Sequence, residues 1–410
     1  MIFKNQNILD LLKIGFKNYP NKLAIKDIND KDTYDDLIKS INTNSNNLIH
    51  IGLKKEDRVI LIFENSVKYM EAYFSILNCG GIVVPLDSNV TENKLKKIVE
   101  ISKAKGIYST GKILASFYSF LTSSFLTKPK NFIALTDDKV SFSLIKINKS
   151  YFIHNETITK KQYELPSVTR KDISSILFTT GSSGIPKGVT LTHDNILQTI
   201  KNICDFVPYD NKYHELIILP LSHSFGLNHV LCNLSVGGTV SLANGMLRMK
   251  SIFILLADNV NGFPASPNIF EIMFHRYKIF FIESAKNLKF SVVNSAPLPP
   301  NLSMKIMKTF PHIRLYVYYG LTEASRSTFI LHSKKNKDLL GSVGQASPNV
   351  KISVLNDEGH IVTNNANGEV LIRGKNVMRK YWGDDKSTGR QFIKEEIDEN
   401  IERVANAISF

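Results

Sequence analysis

The stretch FTTGSSGIPKGVTLTHDN, Phe178–Asn195, decides how this chain is read. It holds three glycines, two serines, four threonines and a single lysine, and it runs into alternating Val189, Thr190, Leu191 and Thr192. So bare a backbone beside one fixed cation suits a chain of phosphates. The spacing is not that of the Walker loop, which reads G-x-x-x-x-G-K-[ST] and opens a helix. Here Pro186 precedes Lys187, Gly188 follows it, and no hydroxyl comes next to take a magnesium ion. The alternation after Lys187 belongs to a strand, so the loop joins two strands. The helix NILQTIKNICDF starts only beyond it, with Asp194 as the expected N-cap. Main-chain N–H groups of Gly181 and Gly184 and the hydroxyls of Thr179, Thr180, Ser182 and Ser183 then surround phosphate oxygens, while Lys187 supplies charge. A plain glycine hairpin is the alternative, and it leaves those hydroxyls without a use.

With 410 residues the chain can form two or more subdomains around a large core. Hydrophobic content of 43% with 21% charged residues is that of an ordinary globular protein. The longest apolar run, 252–257, is far short of the roughly 20 residues a membrane helix needs. The first residues show no secretory signal, and Cys79, Cys204 and Cys232 form neither a metal spacing nor a disulfide framework, which fits a reducing cytoplasm. A net charge of +14 suggests anionic partners, yet the lysines are spread along the chain and no nucleic-acid-binding signature is present. Nucleic acid is therefore not expected as a partner.

The rhythm of RVILIFE (58–64), SVKYMEAYFSILNCGG (66–81), IVVPLD (82–87), TENKLKKIVEISKA (91–104) and GIYST (106–110) is βαβαβ, which predicts a mostly parallel sheet with helices on its faces. Thr91 reads as the N-cap of its helix. Residues 111–170 are harder to place. Alternation resumes at Ser174 and continues to about Leu331. Beyond it, VKISVLNDEGHIVTNNANGEVLIRGKNVM (350–378) reads as short strands with tight turns, a small antiparallel sheet or barrel.

The glycine stretch resembles the phosphate loop of the adenylate-forming enzymes, the superfamily of acyl-CoA synthetases, adenylation domains and firefly luciferase. Their pattern is T-S-G-S/T-T-G-x-P-K-G followed by a strand and T-H-x-N; Thr180 and Ser183 here keep the hydroxyls. Further motifs follow in the family's order. ILPLSHSFGLN (218–228) resembles P-L-F-H-x-x-G-L, with Ser222 in place of the aromatic. VVNSAPLPPNL (292–302) resembles the G-G-A-P-L strand end, with Asn294 and Ser295 for the glycines. YVYYGLTEAS (316–325) matches Y-G-x-T-E, and GEVLIRGKNVMRKYW (368–382) is similar to the run that ends in Y-W. The resemblance covers about residues 8–385. It implies an α/β fold of two interleaved sheet subdomains packed by helices within 1–340, then a small antiparallel, barrel-like β subdomain at 341–385, with 386–410 as a truncated or degenerate tail.

The resemblance also implies a reaction: attack of a carboxylate on the α-phosphate of ATP, giving an acyl-adenylate and pyrophosphate. Lys187 would clamp the β- and γ-phosphates. Tyr319 and Gly320, with Ser295, Ala296 and Pro297, would hold adenine. Thr322 would reach the α-phosphate and Glu323 would hold magnesium. His223 would line the acyl pocket; by itself it reads equally as a buried histidine at a helix start. ATP or AMP, Mg²⁺, and a CoA or carrier-protein thiol are the implied cofactors and acceptors. Amino-acid-activating relatives carry an aspartate near the histidine, whereas SHSFGLNHVLCNLSVGG (222–238) contains no acid. A fatty, short-chain or aryl acid is therefore expected.

After Trp382 the family continues through a T-G-D motif, a hinge and a C-terminal domain, and this sequence does not follow it. The expectation is an AMP-forming acid–thiol ligase that is impaired alone, or dependent on a separate C-terminal domain or an acyl carrier protein. The alternative is a nucleotide- or acyl-binding pseudoenzyme without turnover.

Overall fold

The computed structural model describes residues 6–117, 133–136, 151–154, 161–180, 185–245, 248–358, 360–362, 367–392 and 403–406. Two short strands come first, β1 (Leu23–Lys26) and β2 (Lys31–Thr33), and then helix α1 (Tyr34–His50), started by a reciprocal capping box between Thr33 and Asp36. The βαβαβ unit follows as expected: β3 (Arg58–Ile62), α2 (Val67–Asn78), β4 (Ile82–Leu86), α3 (Glu92–Ser102) and β5 (Gly106–Ser109). Thr91 caps α3 by accepting from the Lys94 N–H. The stretch hardest to place contributes β6 (Ile133–Thr136) and β7 (Tyr151–His154). The glycine loop connects β8 (Ile173–Thr180) to β9 (Pro186–Thr192), and α4 (His193–Phe206) follows directly.

The N-cap of α4 is Thr192 and not Asp194. The Thr192 hydroxyl accepts from the Asn195 N–H while the Asn195 side chain accepts from the Thr192 N–H. That reciprocal box satisfies two main-chain donors at once. Asp194 instead lies 2.6 Å from Arg170.

The second half adds β10 (His214–Ile217), α5 (Ser224–Ser235), β11 (Thr239–Leu242), β12 (Phe290–Val293), β13 (Arg314–Tyr319), β14 (Thr328–His332) and β15 (Gln345–Ala346). The chain then forms β16 (Val350–Leu355), β17 (Ile361–Val362), β18 (Glu369–Gly374), β19 (Lys380–Tyr381) and β20 (Arg403–Asn406).

One sheet runs β19-β9-β8-β4-β3-β5-β6-β7, parallel from β8 to β7 and antiparallel at the β8–β9–β19 edge. The other is β2-β1-β11-β10 joined to β12-β13-β14-β15 by residues 262–265, through bridges Glu215–Gly262, Gly262–Phe290 and Ala265–Val293. This seam requires glycine: a Cβ at Gly262 would stand 2.2 Å from Phe290 Cζ and 2.6 Å from Glu215 Cγ. The sheets are interleaved in sequence, because β1 and β2 join the second and β19 returns to the first. Strands β17-β16-β18-β20 form a separate antiparallel row.

Strand alternation sorts side chains to the two faces of each sheet. Val59 and Leu61 of β3 point into the layer between the sheets, with Leu37 and Ile41 of α1, Met70 and Phe74 of α2, Ile200 of α4 and Leu231 of α5. Ile60 and Ile62 face outward onto Leu95, Ile98 and Val99 of α3. On β13, Tyr316 and Tyr318 join the central layer, while Leu315 and Val317 face Phe263, Phe270 and Phe281. Burial on both faces explains the continuous apolar runs of β3 and β4. Among the described residues no helix is long and apolar enough to cross a membrane.

Candidate active site

The hairpin β8–β9 sets Thr179 opposite Lys187 and Thr180 opposite Pro186, so the glycine stretch is a strand–loop–strand clamp. Gly181, Ser182, Ser183 and Gly184 lie outside the described residues. Strand β19 pairs with the outer side of the hairpin, Tyr381 opposite Val189, and the Trp382 N–H donates to the Gly188 carbonyl at 2.7 Å. This pairing brings the Tyr381 ring beneath Lys187, whose Nζ stands 5.1 Å from the ring centroid. A cation over an aromatic face is held while its N–H donors stay available. Asp384, just beyond, also faces Lys187; the Ser387 main-chain N–H holds its carboxyl below the usual range, followed by the Ser387 hydroxyl, with a smaller contribution from Lys187.

Tyr319 ends β13, and the turn after it carries Gly320, Thr322 and Glu323. It is tight: the Ser327 N–H returns to the Tyr319 carbonyl at 2.9 Å, and a Cβ at Gly320 would lie 2.5 Å from the Arg326 nitrogen. Glycine is required there by sterics. Glu323 is anchored twice. Its carbonyl accepts from the Met378 N–H at 2.7 Å, and its Oε1 accepts from the Tyr381 hydroxyl at 2.9 Å. Burial, and next the neighbouring Glu323 carboxylate, push the Tyr381 phenol far up, so it remains a donor at neutral pH. Lys187 and Glu323 thus meet on opposite ends of one tyrosine.

Two asparagines join the remaining segments. Asn195 Nδ2 donates to the carbonyls of Lys375 and Val377, at 2.8 and 2.7 Å. Buried Asn376 donates to the Ser325 carbonyl at 2.9 Å and the Ser327 hydroxyl at 3.2 Å. The T-H-x-N, Y-G-L-T-E and G-K-N-V-M segments are therefore one bonded unit.

Strands β12 and β13 are parallel neighbours with Val293 opposite Val317, so Ser295, Ala296 and Pro297 emerge at the same end as Tyr319. Carboxyl ends of parallel strands are the usual ligand crevice of such sheets. Ser295 has φ +77, the left-handed region that favours glycine, at a position where the resembled pattern has glycine.

His223 is the N-cap of α5, and its side chain is 59% exposed, so it is not a buried helix-start histidine. Its Nε2 lies 3.4 Å from Asp87 Oδ2 at the end of β4, and the Ser222 hydroxyl also donates to Asp87. The hydrogen bond with His223 outweighs desolvation and, with Ser222, holds the Asp87 carboxyl below its ordinary range. His223, Asp87, Lys94 and Phe178 line a cleft of about 250 Å³. Phe178 belongs to β8, so this cleft opens beside the clamp.

The structure brings together Lys187, Thr179, Tyr319, Thr322 and Glu323 around the β9 and β13 ends, with His223 at the head of α5. Sequence reading missed Tyr381, Asn376 and Asp87 as site residues. All three stand inside quoted stretches, but nothing local shows that Asp87 reaches His223 or that Tyr381 reaches Glu323. Among the described residues no cluster of three or more His, Cys, Asp or Glu side chains forms a metal cage. Glu323 alone fits magnesium, which takes one or two carboxylates and completes its shell with phosphate and water.

The family model described as AMP-binding enzyme matches residues 13–382. A long-chain-fatty-acid–CoA ligase of Bacillus subtilis (strain 168) is 26% identical, over 94% of this chain and 72% of its own length. A 4-coumarate–CoA ligase-like protein of Arabidopsis thaliana is 24% identical, over 84% of this chain and 61% of its own. The N-terminal domain of FACL13 from Mycobacterium tuberculosis superposes with a TM-score of 0.82 at 20% identity, covering 98% of this chain and 100% of that one. A match across nine-tenths of the sequence, on a clamp built from the same ordered motifs, assigns the chain: it belongs to the AMP-binding enzyme family.

Proposed function

We propose that this chain activates a carboxylic acid with ATP and passes the acyl group to a thiol. A carboxylate oxygen bonds to the α-phosphorus, the bond from that phosphorus to the bridging oxygen breaks, and pyrophosphate leaves. The thiol sulfur of CoA or a carrier protein then bonds to the acyl carbon, its proton is lost, and AMP leaves. One observation carries this reading: Lys187 and Glu323, 136 positions apart, share Tyr381.

Bringing two anions together makes charge stabilisation and positioning the main tasks. Lys187 faces the leaving phosphates, with its orientation held over the Tyr381 ring. Thr322 offers a hydroxyl to the α-phosphate, and Tyr319 with Ser295, Ala296 and Pro297 flanks the base. Glu323 would hold magnesium, which neutralises phosphate charge. His223, oriented by Asp87, sits where the acid approaches. The relatives named as CoA ligases support an acid and a thiol as reactants. Asp87 is already engaged by His223 and Ser222, which supports an acid without an α-amino group.

ATP–pyrophosphate exchange with butyrate, octanoate, benzoate and a set of amino acids tests the proposal. Exchange stimulated by at least one of the three acids is expected. ATP binding with no exchange for any acid would make this a nucleotide-binding protein without turnover. Stimulation by amino acids alone would overturn the substrate class.

A further inference from the structure

Arg326 is the largest fully buried side chain among the described residues, at 2% exposure. It follows the Thr322–Glu323 turn, with φ +55, and its guanidinium runs inward between β13 and the first turn of α5. There it stands 4.6 Å from the Tyr318 ring centroid and 5.4 Å from that of Phe225. Nη2 donates to the carbonyls of Ser224 and Phe225, at 3.2 and 3.1 Å, and Nη1 to the Ser325 hydroxyl at 2.8 Å. Nε has no partner. The titratable groups that face it are Tyr318, Cys232 and Tyr209, none of them an anion at neutral pH.

A buried cation is normally paired with an anion, because desolvation costs several kcal/mol per ion. Carbonyls and ring faces offset part of that cost here, and among the described residues no carboxylate completes the pairing. The position explains what would. The guanidinium is bonded to the first turn of α5, which His223 heads, and the Arg326 main chain follows the Thr322–Glu323 turn, so it lies beneath these two site segments. An acid whose carboxylate meets Thr322 and points its other end between α5 and β13 runs into this cation. An alkyl or aryl tail would leave the Nε–H buried and bare, whereas a second acidic group would accept from it.

We propose that Arg326 determines substrate specificity and that the acid is a short dicarboxylate, its distal carboxylate accepting from Arg326. This rests on the adenylation reading above and narrows its short-chain class. A site that hydrogen-bonds a substrate group rejects analogues that lack it far more strongly than an apolar pocket does.

Pyrophosphate exchange on the 410-residue chain with succinate and glutarate against butyrate and octanoate tests it, together with Arg326→Met and Arg326→Lys. Succinate or glutarate should exceed butyrate at least tenfold. Arg326→Met should raise KM for the dicarboxylate by a similar factor and improve butyrate, and Arg326→Lys should recover part of the preference. Equal or better exchange with butyrate or octanoate in the wild type would overturn the proposal, as would an equal loss on both acid types in Arg326→Met. A second readout separates it from the adenylation reading: glutarate should raise the Tm of the wild type and not that of Arg326→Met. A glutarate shift without exchange for any acid would sink adenylation and leave Arg326 as the acid site. No shift in the wild type, with circular dichroism showing both proteins folded, would remove Arg326 from that role.

Discussion

The Tyr381 hydroxyl donates to Glu323 Oε1 at 2.9 Å while the ring of the same residue lies under Lys187 Nζ, 5.1 Å from its centroid. One side chain therefore orients the candidate metal ligand and the candidate phosphate cation together. This follows from β19 pairing with β9, which sets the distance between a strand edge and the β13 turn.

Replacing Tyr381 with Phe keeps the ring and removes the hydroxyl. A hydrogen bond to a charged acceptor contributes about 1.5–3 kcal/mol, so exchange should fall roughly tenfold or more. The loss should appear in the magnesium and ATP dependence, with KM for the acid unchanged. Exchange at wild-type rates across a magnesium titration would show that the contact does not orient Glu323.

Lys187→Ala should weaken ATP more than AMP if the lysine takes its proposed place at the β- and γ-phosphates. A charge-assisted contact of about 1.5–3 kcal/mol corresponds to roughly ten- to a hundredfold in affinity. Calorimetry with both nucleotides measures it. Equal losses for ATP and AMP would place the lysine at the α-phosphate or away from the nucleotide.

Ser295→Gly should stabilise the fold. A left-handed residue with a Cβ costs about 1–2 kcal/mol, and the added freedom of glycine in the unfolded chain offsets about 0.5–1. A net gain of about 0.5–1 kcal/mol should raise the urea midpoint. A lower midpoint would mean that the Ser295 side chain makes a stabilising contact larger than its strain.

His193 makes stability fall in mild acid. It is 1% exposed, its Nδ1 accepts from the Ile8 N–H at 3.2 Å, and burial pushes its pKa down to about 4. Asp172 and Asp10 raise it and Lys55 lowers it, by less than burial does. The folded value lies below the unfolded one near 6.5, so the unfolded chain binds the proton first. This contribution is complete above pH 6.5 and is lost as pH falls from there toward 4. By pH 5 the loss should be about 2 kcal/mol. Urea midpoints between pH 7 and 5 should drop for the wild type and flatten for His193→Gln; identical slopes would assign the acid sensitivity to other groups.

The sequence alone carried the secondary-structure rhythm of 58–110, the strand–loop–strand form of the glycine stretch and the Thr91 cap, because periodicity and capping act over a few residues. The ordered motifs also named Lys187, Thr322, Glu323 and Tyr319. Even locally there was a limit. Asp194 looked like the cap of α4, and the reciprocal geometry with Asn195 gave that place to Thr192. Tertiary structure decided the rest, since each deciding contact joins distant segments. Strand β19 returns to the first sheet and sets Tyr381 on Glu323. The end of β4 brings Asp87 to a histidine motif that contains no acid of its own. No quoted motif includes Arg326, yet the fold buries it against β13 and the first turn of α5. Such placements depend on sheet order and register, which no run of neighbouring residues encodes.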